Sequence, residues 1–341
     1  MTQRPLIIAH RGASGERPEH TLGAYRLAIA QGADYIEPDL VPTRDGHLVA
    51  RHENEIGGTT DVADHPRFAD RRTTRLVDGE RVTGWFTEDF TLEELKTLRA
   101  RERLPQLRPG NRSFDGQETI PTFQEVIALA QEQGRATGRT IGIYPETKHP
   151  SYFEALGLSF DRPLLEALEA AGWNRAGAPV FIQSFETRNL QRLRSQTPVA
   201  LVQLMDAAGG PADGSGLSYA AMAAPAGLAA VARYANGIGP NKTLVIPRDP
   251  AGRSLPASTL VRDAHGQGLV VHPWTFRAEN LFLAAELRRG DPADPVFQRL
   301  HGDLASEIAA HLAAGADGLF CDFPGIGVTT RDSWQGAAAP A

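Results

Sequence analysis

Gly32-Ala-Asp-Tyr-Ile-Glu-Pro-Asp39 follows an alanine-rich amphipathic stretch, and Gly315-Ala-Asp-Gly-Leu-Phe-Cys-Asp322 does the same near the other end of the chain. In both segments a Gly-Ala-Asp turn leads into a short apolar run that reaches an aspartate. A repeated helix-turn-strand unit produces this pattern, which is typical of sheets built from alternating strands and helices. The repeat explains the turn, but Glu37 has no acidic counterpart at Phe320, so the pair Glu37 and Asp39 needs another explanation.

Short apolar runs alternate with helix-period segments over most of the chain. They are often β-branched and nearly continuous in hydrophobicity, as strands covered on both faces are. The eight expected strands are Leu6–His10, Tyr35–Leu40, Thr140–Glu146, Val180–Phe185, Ala200–Asp206, Gly237–Pro240, Leu269–Trp274 and Gly318–Phe323. The pattern predicts a (β/α)₈ TIM barrel. A doubly wound open sheet is less favoured, because no G-x-G-x-x-G follows the first strand.

Amphipathic segments with helix signals lie between the expected strands. Thr21 and Thr122 are expected N-caps, the second with Glu125 as a capping box. The expected helices are Thr21–Gln31, Phe123–Gln133, Pro163–Ala171, Leu228–Ala235 and Leu304–Ala314, with helix-ending glycines at Gly32, Gly134, Gly172 and Gly315.

The chain is predicted to be a single barrel domain over residues 1–341. Residues 54–119 interrupt the alternation and are rich in Arg, Asp, Gly and Thr, so we expect an insertion subdomain over the barrel mouth. One short helix is expected there, near Leu92–Arg101. A second irregular stretch is expected at 207–225, and the tail 336–341 is expected to be frayed.

Composition excludes several classes of protein. The 341 residues include 35 Lys and Arg against 41 Asp and Glu, a net charge of −6 with no basic tract, which argues against nucleic acid as a partner. Cys321 is the single cysteine, so an internal disulfide and a thiolate zinc cage are excluded. No apolar run is long enough for a membrane span. No signal peptide is visible, which predicts a cytoplasmic protein as written; an exported protein without its signal would look the same.

Three carboxylates are candidate metal ligands. Glu37 and Asp39 share one face of the second strand, because side chains alternate along a strand. Glu146 is expected at the mouth end of the next strand, with Lys148 two residues later. Oxygen ligands without cysteine favour a hard cation, Mg²⁺ or Ca²⁺. The alternatives are an ordinary ion-paired or surface location for Glu37 and Asp39, and a Lys148–Glu146 bridge at the rim.

Two histidines are candidate proton carriers. His10 ends the first strand, and His52 ends a strand-like run after the turn Arg44-Asp-Gly46. Histidine titrates near neutrality, so two imidazoles beside a phosphate can act as base and acid. Arg11 and Lys148 supply the positive charge that binds a phosphate. A single histidine is more often structural than catalytic, so neither is assigned alone.

The longest motifs resemble the glycerophosphodiester phosphodiesterase family, in the same order along the chain. They are His10-Arg-Gly-Ala-Ser-Gly15, Pro18-Glu-His-Thr21, Gly32–Asp39, Thr43-Arg-Asp-Gly46, His52, Tyr144-Pro-Glu146, Phe181-Ile-Gln-Ser-Phe185, Val270-Val-His-Pro-Trp274 and Gly318-Leu-Phe-Cys-Asp-Phe-Pro324. Segments 60–64 and 89–92 resemble the long bacterial branch typified by periplasmic enzymes that scavenge glycerol phosphate. The resemblance covers nearly the whole chain.

The resemblance implies a TIM barrel that hydrolyses glycerophosphodiesters, such as glycerophosphocholine and glycerophosphoethanolamine, to an alcohol and sn-glycerol 3-phosphate. It implies one divalent cation, Ca²⁺ or Mg²⁺, bound by Glu37, Asp39 and Glu146, and an acid–base pair formed by His10 and His52. The implied substrate and phosphate contacts are Arg11, Lys148, Glu19, Gln183 and Trp274.

Two positions depart from the family pattern. Glu53 follows His52 where the family usually has aspartate, and His20 stands where many members have asparagine. Both departures are expected to change the surroundings of the site without removing a ligand. Two alternatives stay open: a lysophospholipase D with an acyl chain against the insertion, and a catalytically silent barrel that binds glycerophosphodiesters.

Overall fold

The structure, a computed structural model, describes residues 4–334. The tail expected at 336–341 lies outside the described residues. The strands are β1 (Leu6–Ala9), β2 (Tyr35–Ile36), β3 (Asp39–Pro42), β4 (Leu48–Ala50), β5 (Thr73–Val77), β6 (Glu80–Gly84), β7 (Gly142–Ile143), β8 (Glu146–Thr147), β9 (Phe181–Ser184), β10 (Ala200–Met205), β11 (Gly237–Pro240), β12 (Val270–Val271) and β13 (Gly318–Cys321).

Helices follow most of the barrel strands. They are α1 (Leu22–Ala30), α2 (Leu92–Lys96), α3 (Phe123–Thr137), α4 (Pro150–Ala155), α5 (Asp161–Ala170), α6 (Thr187–Arg194), α7 (Tyr219–Met222), α8 (Pro225–Val231), α9 (Lys242–Val245), α10 (Leu260–His265), α11 (Leu304–Ala313) and α12 (Pro324–Ser333). None of these helices of residues 4–334 is long and apolar enough to cross a membrane.

The parallel strands form a (β/α)₈ barrel, as predicted. β13, β1, β2 and β7 are neighbours in one sheet, and β12, β11, β10, β9, β8 and β3 are neighbours in the other. Parallel bridges between Ile143 and Val180 and between Phe276 and Cys321 join the two sheets into a closed ring. Each expected strand, including the glycine-rich sixth one, occupies one of the eight strand positions of the barrel. These positions are called staves below, because two of them are each made of two short strands.

Two staves are each interrupted by a proline. Pro38 separates β2 from β3, and Pro145 separates β7 from β8, because proline has no N–H to donate to the ladder. The carbonyl oxygens of both prolines still accept hydrogen bonds, from Glu146 N at 3.0 Å and from Gln183 N at 2.9 Å. The staves therefore stay in register through the breaks, with Asp39 beside Glu146 and Glu146 beside Gln183.

Aromatic side chains fill the barrel interior. Tyr144 stacks on Phe181 with ring centroids 4.9 Å apart and meets Phe320 edge-on at the same separation. The Tyr144 hydroxyl lies 2.9 Å from His272 Nδ1, which satisfies both buried groups. This aromatic layer leaves the polar residues at the ends of the staves to face the barrel mouth.

The segment 54–119 contains short elements above the barrel. It contains the hairpin β5–β6, the short helix α2 and 3₁₀ turns at 62–64, 66–71, 87–89 and 109–114. That this segment is a separate subdomain stays a prediction. The expected helix Leu92–Arg101 is too long, because Ala100 already forms an antiparallel bridge with Thr60.

Two other expectations about helices are corrected. Gly134 lies inside α3, which ends at Thr137 and is capped by Gly138 with φ +67°, so the glycine with the left-handed conformation comes one turn later. The stretch 207–225 is not wholly irregular, since α7 lies within it and Pro225 begins α8. The N-caps at Thr21 and Thr122 are confirmed, the second with its capping box.

Candidate active site

Three carboxylates meet at the mouth of the barrel, beside the proline breaks. Glu37, Asp39 and Glu146 offer one oxygen each, and these atoms lie within 4.8 Å of one another. All three side chains are buried. The stave register brings them together, because Asp39 and Glu146 are paired residues and Glu37 lies two positions from Asp39 on the same face. Carboxylates this close repel one another unless positive charge lies between them.

The protonation equilibria of the three carboxyls reflect that repulsion. Burial, with the charges of Asp39 and Glu146, raises the pKa of Glu37 well above its ordinary value. Burial raises the pKa of Glu146 to about 7 even though Lys148 opposes the shift. Burial also acts on Asp39, but the neighbouring His20 and then Arg11 outweigh it and hold the pKa of Asp39 well below its ordinary value.

The surroundings of the carboxylates fit a bound cation. His20 Nε2 donates to Asp39 Oδ2 at 3.0 Å, and Gln183 Nε2 donates to Glu37 Oε1 at 2.7 Å. Asp39 Oδ1 and Gln183 Oε1 are buried and have no hydrogen-bond partner among the described residues. Carboxylates oriented by outer hydrogen bonds, with an orphaned oxygen between them, are the donor set that a hard divalent cation prefers.

His10 is held by a buried carboxylate from the last stave. Its Nδ1 donates to Asp322 Oδ1 at 2.6 Å, so its Nε2 is turned towards the carboxylates, 3.9 Å from Glu37 Oε2. Asp322 Oδ2 accepts from Arg108 Nη2 at 2.5 Å and from Arg277 Nε at 3.0 Å. Burial, and then Arg11, lower the pKa of His10 to about 4, so the imidazole is neutral at neutral pH.

His52 is held by the carboxylate of the next residue. Its Nδ1 donates to Glu53 Oε1 at 2.5 Å, and its Nε2 lies 3.2 Å from Lys148 Nζ. Arg103 contacts both Glu53 oxygens, at 2.9 and 2.5 Å. Burial, with the charges of Arg11 and Lys148, lowers the pKa of His52 well below its ordinary value.

Two cations lie between the histidines and the carboxylates. Lys148 Nζ is 2.8 Å from Glu146 Oε1, and Arg11 Nε is 3.3 Å from Asp39 Oδ2. Arg11 has a left-handed backbone, with φ 59°, which turns its N–H onto Glu37 Oε2 at 3.1 Å. Gly12 follows with φ +86°, and a Cβ there would lie 2.8 Å from the Ala24 backbone, so this sharp turn requires glycine.

A cavity of about 560 Å³ opens above these groups. Its lining includes both histidines, Arg11, Lys148, Trp274 and Phe185, with further cations at Lys242, Arg248 and Arg277. Trp274 donates its indole N–H to the Gly239 carbonyl at 2.8 Å and presents its ring to Phe185. The cavity is large enough for a small phosphodiester and is rich in positive charge.

Two of the expected substrate contacts lie away from the cavity surface. Gln183 is fully buried and contacts Glu37, so it orients a carboxylate rather than lining the cavity. Glu19 is buried between Arg11, at 3.0 Å, and Arg103, at 2.8 and 2.7 Å. The departure at His20 is also explained, since this histidine donates to Asp39 and accepts from the Tyr25 hydroxyl.

Sequence reasoning singled out Glu53 beside His52, but it missed the carboxylate partner of His10 and the arginines that bind the two partner carboxylates. Asp322 was noted as part of a motif but received no role, although its position at the end of a barrel strand was a usable signal. Arg103 and Arg108 come from a segment without periodicity, and no pattern in the sequence connects them with the histidines.

The comparisons with known proteins agree with the motifs. Residues 10–326 match the glycerophosphoryl diester phosphodiesterase family. A glycerophosphodiester phosphodiesterase of Arabidopsis thaliana is 37% identical over 336 residues, which cover 95% of this chain and 85% of that protein. Another, of Haemophilus influenzae, is 30% identical over 353 residues, covering 96% of this chain and 90% of that protein.

Solved structures share the barrel. A phosphodiesterase of Oleispira antarctica, in complex with the product sn-glycerol-3-phosphate, has a TM-score of 0.63 at 21% identity and covers 96% of this chain and 97% of that one. A glycerophosphodiester phosphodiesterase of Agrobacterium tumefaciens has a TM-score of 0.58 at 19% identity, covering 95% and 99%. Together with the family match over residues 10–326, these findings establish that the chain belongs to the glycerophosphoryl diester phosphodiesterase family and is a glycerophosphodiester phosphodiesterase.

Proposed function

We propose that the protein hydrolyses small glycerophosphodiesters, such as glycerophosphocholine and glycerophosphoethanolamine, to an alcohol and sn-glycerol 3-phosphate with His10 and His52 as the acid–base pair. One observation carries this proposal. Both imidazoles have Nδ1 bound to a carboxylate and line the same cavity, beside the three clustered carboxylates. A carboxylate on Nδ1 fixes the tautomer and leaves Nε2 to exchange protons with a substrate.

The residues that hold the substrate follow from charge. Arg11 and Lys148 are the cations nearest to the carboxylates, so we assign them to the phosphate oxygens. Trp274 offers an aromatic surface on the cavity wall to the glycerol or the alcohol. Glu19 and Gln183 support this set indirectly, since Glu19 holds Arg11 and Gln183 holds Glu37.

His10 is proposed as the general base. Its pKa of about 4 keeps Nε2 unprotonated at neutral pH, ready to accept a proton from the attacking hydroxyl. That hydroxyl belongs either to the glycerol 2-position or to water. Attack by the 2-hydroxyl would give a cyclic phosphate, which water then opens to glycerol 3-phosphate with the two histidines in reversed roles. Attack by water would give glycerol 3-phosphate directly. Asp322 then stabilises the imidazolium that forms.

His52 is proposed as the general acid that protonates the departing alkoxide. In the free enzyme burial and nearby cations disfavour its charged form. Binding of a phosphodiester anion next to Lys148 offsets those cations, and Glu53 on Nδ1 already favours the protonated ring. The leaving group then departs with a protonated hydroxyl group instead of as an alkoxide.

Glu37, Asp39 and Glu146 are proposed to bind one divalent cation, either Ca²⁺ or Mg²⁺. The support is a donor set made only of carboxylate oxygens, with the orphaned Asp39 Oδ1 among them. When bound, such a cation supplies positive charge that stabilises negative charge on a phosphate oxygen. Glu186, Asp206 and other acids nearby are not part of the three-carboxylate cluster found among the described residues.

The test is a coupled assay of glycerol 3-phosphate release from glycerophosphocholine, glycerophosphoethanolamine and lysophosphatidylcholine. We expect release from the first two, its loss with a chelator and its recovery with Ca²⁺ or Mg²⁺. Asp39→Asn should abolish activity and cation binding, whereas Glu166→Gln, which changes an exposed acid paired with Arg162, should do neither. A chelator-resistant enzyme would refute the metal assignment, and a preference for lysophosphatidylcholine would favour a lysophospholipase D.

A further inference from the structure

The two histidine–carboxylate pairs, His10–Asp322 and His52–Glu53, are called the two dyads below. Both dyads contact the same short stretch, residues 103–108 of the segment above the barrel mouth. His10 follows the barrel strand β1, whereas His52 follows β4, which pairs antiparallel with β3 outside the ring of parallel strands. Their carboxylate partners Asp322 and Glu53 lie far apart in sequence. Each carboxylate nevertheless has an oxygen bound by an arginine of this one stretch. A segment predicted as an addition to the barrel therefore contacts both halves of the proposed acid–base pair.

Arg103 forms a two-point contact with the partner of His52. Its Nη1 and Nη2 lie 2.9 and 2.5 Å from the two oxygens of Glu53, the parallel fork that fixes the plane of a carboxylate. The same guanidinium donates to both oxygens of Glu19, at 2.8 and 2.7 Å. Glu19 in turn binds Arg11 at 3.0 Å, so Arg103 connects His52 to a phosphate-binding arginine.

Arg108 forms the corresponding contact with the partner of His10. Its Nη2 lies 2.5 Å from Asp322 Oδ2, and its Nε lies 2.6 Å from Glu279 Oε1, a side chain with no exposed surface. Its Nη1 also donates to the Ser14 carbonyl at 2.9 Å, and the Ser14 hydroxyl donates to the His10 carbonyl at 2.8 Å. Arg108 thus contacts both the side-chain partner and the backbone support of His10.

The backbone between the two arginines is fixed. The Leu104 carbonyl accepts hydrogen bonds from Leu107 N at 2.9 Å and from Arg108 N at 2.8 Å, which closes a turn. Beyond it, Asn111 donates to the Ser14 carbonyl at 3.2 Å and to Glu102 at 2.8 Å. Because this turn sets the separation of the two guanidinium groups, the positions of the two carboxylates are linked through it.

We propose that Arg103 and Arg108 are positioning residues for the proposed reaction: they orient Glu53 and Asp322, and through them the Nε2 atoms of His52 and His10. The inference rests on the proposed function. Neither arginine touches the reacting atoms, so each acts through its carboxylate. Partners of this kind around a histidine–carboxylate pair contribute to orientation and basicity.

Contact with a carboxylate is not by itself evidence for such a role, and Arg71 provides the matched case. Arg71 also forms a two-point contact, with Glu94 at 2.9 and 2.6 Å, within the same segment. It contacts neither histidine nor either partner carboxylate. Arg71→Ala therefore reports the effect of removing an arginine fork from this segment without touching the site.

The experiment is a pair of double-mutant cycles on the full chain with Ca²⁺ or Mg²⁺ present. We expect Arg103→Ala and Arg108→Ala each to lower kcat by about tenfold with a smaller change in KM, the lower end of the effect of outer partners. Arg108→Ala in an Asp322→Ala background, and Arg103→Ala in a Glu53→Ala background, should each lower kcat by a smaller factor than in the wild type. The partner carboxylate is then gone, whereas the contacts of Arg108 with Ser14 and of Arg103 with Glu19 remain. Arg71→Ala should leave kcat unchanged.

Additive losses in either cycle, or losses no larger than that of Arg71→Ala, would overturn the inference for that arginine. If an alanine variant does not fold by its thermal transition, Arg103→Lys or Arg108→Lys takes its place, because lysine keeps a cation at the carboxylate without the fork. We expect the lysine variants to retain kcat above the alanine variants, and a lysine variant with wild-type kcat and KM would count against the positioning role. An inactive wild-type enzyme on every glycerophosphodiester would instead refute the proposed function.

Discussion

His10 and His52 are the same residue type in the same cavity, but their surroundings differ. The side chain of His10 is 8% exposed, and its partner Asp322 is a buried residue of the opposite end of the chain. The side chain of His52 is 28% exposed, and its partner is the adjacent Glu53, which is 36% exposed. One dyad is thus built by barrel closure and the other by local sequence, so the same substitution should have unequal effects at the two sites.

The largest expected effect is loss of either imidazole. His10→Ala and His52→Ala should each lower kcat by about 10²–10⁴-fold, the usual contribution of a general acid or base. Cation binding, followed by titration calorimetry, should remain because neither residue is a proposed ligand. If one variant turns over glycerophosphocholine at the wild-type rate, that histidine has no part in the reaction, and His10 and His52 do not form an acid–base pair.

The next largest expected effect is a difference in stability between variants of the two dyads. Asp322→Ala leaves the buried Arg108 and the half-buried Arg277 without their shared carboxylate, which should lower the free energy of unfolding by about 3–5 kcal/mol. Glu53→Ala removes a partly exposed carboxylate and should cost about 0–1 kcal/mol. Urea denaturation of both variants measures the two values. Equal losses would show that the burial difference has no energetic consequence.

The same contrast has a pH signature. Although burial opposes it, Arg277, Arg108 and His10 hold the pKa of Asp322 well below its ordinary value. A depressed folded-state pKa contributes stability above the unfolded value of about 4, and this contribution is lost as the pH falls. The difference in unfolding free energy between wild type and Asp322→Ala should therefore shrink below about pH 4. A difference that stays constant down to pH 3 would contradict this account.

Activity of the carboxylate variants should follow the same order. Asp322→Ala should lower kcat by about 10–100-fold, as expected for loss of an outer partner of a functional histidine. Glu53→Ala should cost less, since the His52 ring is partly exposed and water can take the place of the carboxylate at Nδ1. Initial-rate kinetics with saturating cation measure both. A larger loss for Glu53→Ala would reverse the ranking of the two dyads.

The smallest expected effect concerns the residue that departs from the family pattern. Glu53→Asp shortens the side chain by one methylene, so it can reach either His52 or Arg103 but not both at the present distances of 2.5 Å. We expect a loss of about two- to fivefold in kcat, below that of a complete removal. Asp322→Glu is the matched change at the other dyad, where dense packing should make a longer side chain more damaging.

What the sequence could predict follows from periodicity. Alternation along a strand placed Glu37 and Asp39 on one face, and the strand pattern gave the barrel that brings Glu146 beside them. The long motifs supplied the family. The contacts of Arg103 and Arg108 could not be predicted, because a loop without repeat gives no rule for where its side chains reach. Gln183 was expected at the substrate only from the family resemblance, and a motif does not show how deep in the barrel a side chain lies.

Tyr144, Phe181 and Phe320 close the barrel from within, directly beneath the cavity. This aromatic layer leaves the open end of the cavity as the route by which the substrate enters and both products leave. The substrate and both products therefore pass through the same opening. We therefore expect free glycerol 3-phosphate to act as a competitive inhibitor, because it would occupy the cavity that the next substrate molecule must enter.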